Sequence, residues 1–313
     1  EIFQSAKNLN TVCGEIPGTT PENIRVTVPG EEGEEIVLTL PGNEEHIPPP
    51  PQFINEVKND VKIRVLMEDN ETSLSHIKTL MKQGRFLELT QMEQTDATWK
   101  SYLYNLPKGT MKFVLNASID TLPTKANLTQ WGKRTNDKCR CGVKETLNHV
   151  LNCCGLSLNE GRFTFRHDGV LKYIASCLDK EKYTCYVDVP GHQHPAGGTL
   201  PPDVAVTLLK PDIVIVDKKK KSVTILELTC PAEYRISTAN NLKMEKYAHF
   251  ETDNPGKNVS VIPFEVGSHT GYVTKENKMR LAQLHKYCQK SIKLKNFVKN
   301  ISAITVMGSY FIF

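Results

Sequence analysis

The sequence predicts an α/β protein, a mixed sheet flanked by helices, preceded by a small Cys/His module and a mostly helical linker. Three observations predict it. Residues 209–233 read LKPDIVIVDKKKKSVTILELTCPAE: two near-continuous aliphatic runs, as a strand shows when both its faces are covered, joined by four lysines. Helical periodicity stands on either side, in RHDGVLKYIASCL, where Val170, Ile174 and Leu178 share a face, and in RISTANNLKMEKYAHF, for which Ser237 is the expected N-cap. Upstream, residues 139–154, CRCGVKETLNHVLNCC, group four cysteines around one histidine.

The other elements follow in chain order. A length of 313 residues, 39% hydrophobic, suffices for roughly two domains. Residues 1–60 are acidic and rich in Pro and Gly; RVTVPGEEGEEIVLTLPG predicts a hairpin and HIPPPPQF an extended, exposed connector. Residues 61–138 predict a mostly helical linker, with Ser73 as N-cap of SLSHIKTLMKQGRFLELTQM, before Pro123 and its polar neighbours break the period. The Cys/His module takes 139–156. The sheet region takes 160–313, with a further strand at NVSVIPFEV and one or two amphipathic helices over 276–300. No run approaches the roughly 18 apolar residues that span a bilayer, which argues against a membrane partner. The start, EIFQSAKNLN, has neither an initiator Met nor an apolar signal region and predicts a piece of a longer protein.

Charge is unevenly spread beneath a net +4. Glu31, Glu32, Glu34, Glu35, Glu44 and Glu45 load the first 60 residues. Lys275, Lys278, Arg280, Lys286, Lys290, Lys293, Lys295 and Lys299 load the last 40 or so, a stretch suited to phosphates or, more simply, a solvated helical face. The Lys218 to Lys221 run likewise reads as a polar hairpin tip or a DNA backbone contact, with Asp217 turning the chain before it.

In the module, Cys139 and Cys141 precede a Gly turn, and His149 and a cysteine follow about one helical turn apart, a set that suits tetrahedral Zn²⁺. Cys154 is the expected fourth ligand and Cys153 its rival. The one-residue gap between the first two cysteines is tighter than usual, and the plainer reading is a buried histidine among core cysteines. In the sheet, Asp212 opens one apolar run and Glu227 closes the other. Two carboxylates brought together repel unless a cation or proton separates them, and their hard oxygens point to Mg²⁺ or Mn²⁺. Such sites add a Lys two residues after the Glu, but Thr229 stands there; Lys243, or alternatively Lys246, re-enters from the next helix on the side that carries Ala239 and Tyr247.

Taken in order, KPDIVIVD, ILELT and then Lys243, Met244, Glu245, Lys246 and Tyr247 resemble the restriction-like endonuclease of site-specific non-LTR retrotransposons, a branch of the PD-(D/E)xK fold whose Lys has migrated to the next helix. The likeness reaches upstream to a CCHC zinc knuckle at Cys139, Cys141, His149 and Cys154, an Arg-His-Asp element at Arg166, His167 and Asp168, and NASIDTLPTKANLTQWGKR, which resembles the segment after a reverse transcriptase thumb. It covers about residues 95–270. The resemblance implies that Asp212 and Glu227 hold the divalent metal, that Lys243 is catalytic, that Arg166 helps at the site, and that the chain nicks target DNA in the nucleus. The 3′ end would prime reverse transcription of the element's RNA by the remainder of the protein, because the aromatic-x-Asp-Asp signature of a polymerase is absent from this sequence.

Two other classes compete: a nucleic-acid-binding remnant without activity, and a zinc-stabilised protein-interaction domain. His192 and His194 read as solvated loop residues, and Asp203 as an imitation of the Pro-Asp motif with no glutamate at hairpin distance.

Overall fold

The computed structural model describes residues 25–29, 35–39, 51–80, 84, 97–190, 200–201, 204–205, 207, 209–250, 252–254, 256 and 258–313. His192, His194 and Asp203, and the connector before Pro51, lie outside them. The chain divides into two compact units, Glu1–Glu71 and Thr72–Phe313.

In the first unit, β1 (Arg25–Pro29) and β2 (Glu35–Thr39) pair antiparallel with Arg25 opposite Thr39, the hairpin expected from the alternation. α1 (Pro51–Thr79) starts on the last of the four prolines, whose fixed φ and missing N–H suit a first turn. It then runs through Ser73, correcting the expected cap. No Gly or Pro interrupts residues 52–79, so the serine is carried as an interior helix residue.

The second unit takes in the end of α1 and then a 3₁₀ helix, Ala97–Asn105, followed by α2 (Lys108–Ser118) and α3 (Lys125–Gln130), whose cap Thr124 accepts the Asn127 N–H at 3.2 Å. Tyr102, Phe113, Val114 and Ala117 from these elements bury against Leu147 and Leu151 of the Cys/His module and Val306 and Ile312 of α8 (Leu294–Ile312). Residues 102–122, the module and the last helix therefore share one core.

Four strands make a mixed sheet ordered β3 (Thr184–Val187), β4 (Ile213–Asp217), β5 (Ser222–Thr229), β6 (Asn258–Glu265). The first three pair antiparallel and β5 pairs parallel with β6, the crossover being α6 (Ile236–Lys246). Alternation along β4 and β5 sends side chains both ways. Ile213, Ile215, Leu226 and Leu228 meet α5 (Arg162–Cys177), α7 (Lys275–His285) and α8; Val214, Val223 and Ile225 meet Tyr247 and Phe250 at the end of α6. Helices flank the sheet on both sides, which is why both runs are apolar throughout.

Some details differ from expectation. α6 begins at Ile236 with Arg235 at its N-cap, because a 3₁₀ turn at Glu233–Arg235 leads straight into it; Ser237 falls inside the first turn. Lys286 ends α7, Lys293 precedes α8 and Lys290 lies between, so these three exposed lysines mark a connection rather than one helical face. At the hairpin tip Asp217 accepts the N–H groups of Lys219 and Lys220 at 3.0 and 3.2 Å, leaving Lys218 to Lys221 exposed. Among the described residues no helix is long and apolar enough to cross a membrane.

Phe264 is fully buried in the sheet's larger core. Phe264→Ala is expected to cost about 3–5 kcal/mol in urea unfolding; a loss below about 1 kcal/mol would contradict this packing.

Candidate metal and carboxylate sites

Cys139 and Cys141 ride on a tight turn. Gly142 takes a left-handed φ of 85°, its N–H donates to the Cys139 carbonyl at 2.9 Å, and the Cys139 N–H donates to Val143 O at 2.8 Å. A single π-helical turn, His149–Cys153, then brings up the histidine, and Cys154 sits at the N-cap of the short α4 (Gly155–Asn159). The ligand atoms of Cys139, Cys141, His149 and Cys154 all lie within 4.8 Å of one another. Cys139 Sγ is 3.8 Å from Cys154 Sγ, and Cys141 Sγ is 3.2 Å from His149 Nε2.

These spacings fit a metal such as zinc. Tetrahedral bonds of about 2.3 Å to sulfur and 2.0 Å to nitrogen put neighbouring ligands about 3.5–3.8 Å apart. Burial pushes the Cys154 thiol up, but hydrogen bonds from Ser157 N–H and Oγ–H and from Leu156 N–H outweigh it, so its pKa falls, as a thiolate ligand requires. Cys153 is exposed and stands outside the group, with the Asn148 amide at 3.7 Å from its sulfur. The tight gap between the first two cysteines is absorbed by the turn at Gly142.

The second site lies at the end of β4 and β5. Ile213 pairs with Leu226, so the antiparallel register carries Asp212 opposite Glu227. Asp212 Oδ2 accepts the Leu228 N–H at 2.7 Å and faces His167 Nε2 at 3.2 Å; His167 Nδ1 faces Asp168 Oδ1 at 3.3 Å. Burial disfavours the imidazolium, yet hydrogen bonds and charge from Asp212 and Asp168 outweigh it and raise the His167 pKa.

Glu227 is 1% exposed and closely held. Lys243 Nζ donates to its Oε2, the Tyr247 hydroxyl to its Oε1, and Lys246 Nζ stands 3.7 Å from Oε1. Burial first, and the Glu227 carboxylate second, push the Tyr247 hydroxyl pKa up, so it stays a donor. Lys243 and Tyr247 reach the same group because they are four apart on one helical face. Thus a lysine reaches Glu227 from α6, while Thr229 stands two residues after the glutamate.

Arg166, expected to help at this site through the resemblance, precedes His167 on α5 and is bonded to groups other than the two carboxylates. Its guanidinium donates to Ser309 Oγ, Asn152 Oδ1 and the Cys230 carbonyl, and burial lowers its pKa. A cleft of about 500 Å³ opens between the two sites. Arg166, His167, Arg235 and Lys243 line it with Asn152, Cys153 and Thr229, and among the described residues no acidic side chain lines it.

Sequence reasoning gave His167 no role of its own and passed over Glu265 entirely. Glu265 lies on β6 beside Thr229, is buried, and takes the Asn240 amide at 3.2 Å with Arg280 at 3.8 Å. A glutamate closing an apolar strand, as Glu227 does, was the available signal. No protein-family model matches this chain, and no curated protein matches it.

Zinc content by atomic absorption is expected to stay at one per chain in Cys153→Ser and to be lost in Cys154→Ser. The reverse would exchange the two cysteines' roles.

Proposed function

We propose that this chain is a divalent-metal-dependent DNA-nicking endonuclease of PD-(D/E)xK type, the nuclease end of a protein resembling those of non-LTR retrotransposons. The observation that carries the reading is the reach of Lys243 from α6 to Glu227, opposite Asp212, in a hairpin whose ordinary lysine position holds Thr229. The four-ligand Cys/His module just upstream supports it, as does the adjoining cleft, where no acidic side chain lines the wall among the described residues.

The donor set suits a hard cation. Among the described residues Asp212 Oδ1 has no hydrogen-bond partner, and Asp212 and Glu227 would hold Mg²⁺ or Mn²⁺ through oxygen. Held there, such a cation would lower the pKa of a water and offset charge on the scissile phosphate. The chain's own residues do the rest. His167 and the Leu228 N–H fix Asp212, Tyr247 fixes Glu227, and Lys243 lies where it can neutralise a phosphate oxygen. The exposed Lys218 to Lys221 tip and Lys286, Lys290 and Lys293 bind backbone phosphates of target DNA or element RNA, and the chain acts in the nucleus beside the remainder of its protein.

A second reading, an inactive nucleic-acid-binding remnant, is favoured by one observation: Lys243, Tyr247 and Lys246 already occupy both oxygens of Glu227. Plasmid nicking in Mg²⁺ or Mn²⁺ separates the two. The nuclease reading expects Asp212→Ala to lose about 10³-fold and Lys243→Ala about 10²-fold in rate. Equal nicking by all three chains, or none by the wild type, would reject it.

A further inference from the structure

Arg166 joins the Cys/His module to the carboxylate site. It is 4% exposed, and its guanidinium is held from three directions. One nitrogen donates to Ser309 Oγ on α8 at 3.1 Å; another donates to Asn152 Oδ1 in the module at 3.1 Å and to the Cys230 carbonyl just past β5 at 3.2 Å. The stem is confined as well, since a Cβ on Gly308 would lie 2.8 Å from Arg166 Cβ. Asn152 lies between the ligands His149 and Cys154, and its amide is tied to Ser268 Oγ at 2.9 Å and Asn148 Oδ1 at 3.1 Å.

The next residue on α5 is His167, which meets Asp212 Oδ2 at 3.2 Å, the oxygen that also takes the Leu228 N–H. Neighbouring helix residues are fixed about 100° apart, so Arg166 and His167 cannot turn independently. Rotating α5 by about 15° would swing an imidazole lying roughly 6 Å from the axis by about 1.5 Å, enough to break that hydrogen bond. A planar guanidinium held on three sides resists such a turn, which a flexible ammonium would not.

We propose that Arg166 is a positioning residue: through Asn152 the metal-ordered module sets the rotation of α5, and so seats His167 on Asp212. The state of the module is thereby transmitted to the carboxylates. The coupling holds whether or not the site hydrolyses phosphodiesters; only its kinetic consequence rests on the nuclease reading.

Amide hydrogen exchange on the zinc-loaded full chain tests it. The Leu228 amide, which donates to Asp212, is expected to exchange about tenfold faster in Asn152→Ala, in Arg166→Lys, and in the wild type after a zinc-selective chelator, while the Ile225 amide in mid-strand keeps its rate. Chelation should add little to Arg166→Lys, where the link is already cut. Unchanged Leu228 exchange in Asn152→Ala, or equal acceleration at Ile225, overturns the proposal. Should Arg166→Lys fail to fold, Asn152→Ala, which removes a side-chain amide and leaves the guanidinium its other bonds, decides alone. If the wild type nicks DNA, Asn152→Ala should lower kcat about tenfold with the KM for DNA unchanged, and an unchanged kcat counts against the proposal. A chain that never nicks removes the nuclease reading, and the exchange result still decides the coupling.

Discussion

A carboxylate withdrawn from water near the end of an inner strand governs this structure. Glu227 is 1% exposed, between apolar neighbours on a strand paired on both sides. Such a group is tolerated only where donors replace its lost hydration. Lys243 and Tyr247 supply them, and they do so from one face of α6, which ties the helix to the sheet at a fixed height and rotation. Three residues before Lys243, Asn240 reaches Glu265 on the adjacent strand. One helical face thus serves the carboxylates of two parallel strands. α6 carries little apolar surface of its own, with Leu242 and Met244 exposed, so these polar contacts do positioning that packing does elsewhere.

The Cys/His module answers a different deficit. It is short, yet Leu147 and Leu151 enter a core completed by Phe113, Val114 and Val306 from elements before and after it. Its four candidate ligands lie close enough to hold a metal such as zinc, and the surrounding helices supply the apolar cover that sixteen or so residues cannot supply alone. The π-turn then presents Asn152 to Arg166 and Cys153 to the cleft. Module and sheet are therefore one framework around that cleft.

Much of this was legible in the sequence for a physical reason. Strands covered on both faces must be apolar at every position, so β4 and β5 announce themselves, and the charged residues at their ends stand out. The Cys/His cluster was legible because thiols and imidazole at short spacing have few other uses in a turn. Caps were read less well. Ser73 and Ser237 have the right chemistry for helix starts, but a preceding helical turn overrides each. Tertiary partners were least legible: nothing local tells that Arg166 faces Asn152 and Ser309, or that Glu265 lies beside Thr229, since both follow from which elements pack together.

We propose that Glu227 is kept buried to hold a divalent cation with Asp212. Electron paramagnetic resonance titration of Mn²⁺ into the zinc-loaded chain and into Glu227→Gln tests it most directly. One bound Mn²⁺ is expected in the wild type and none in the variant at the same free concentration. No bound Mn²⁺ in the wild type, or equal binding by both, would contradict it and leave Lys243 as the permanent counter-ion of a structural carboxylate.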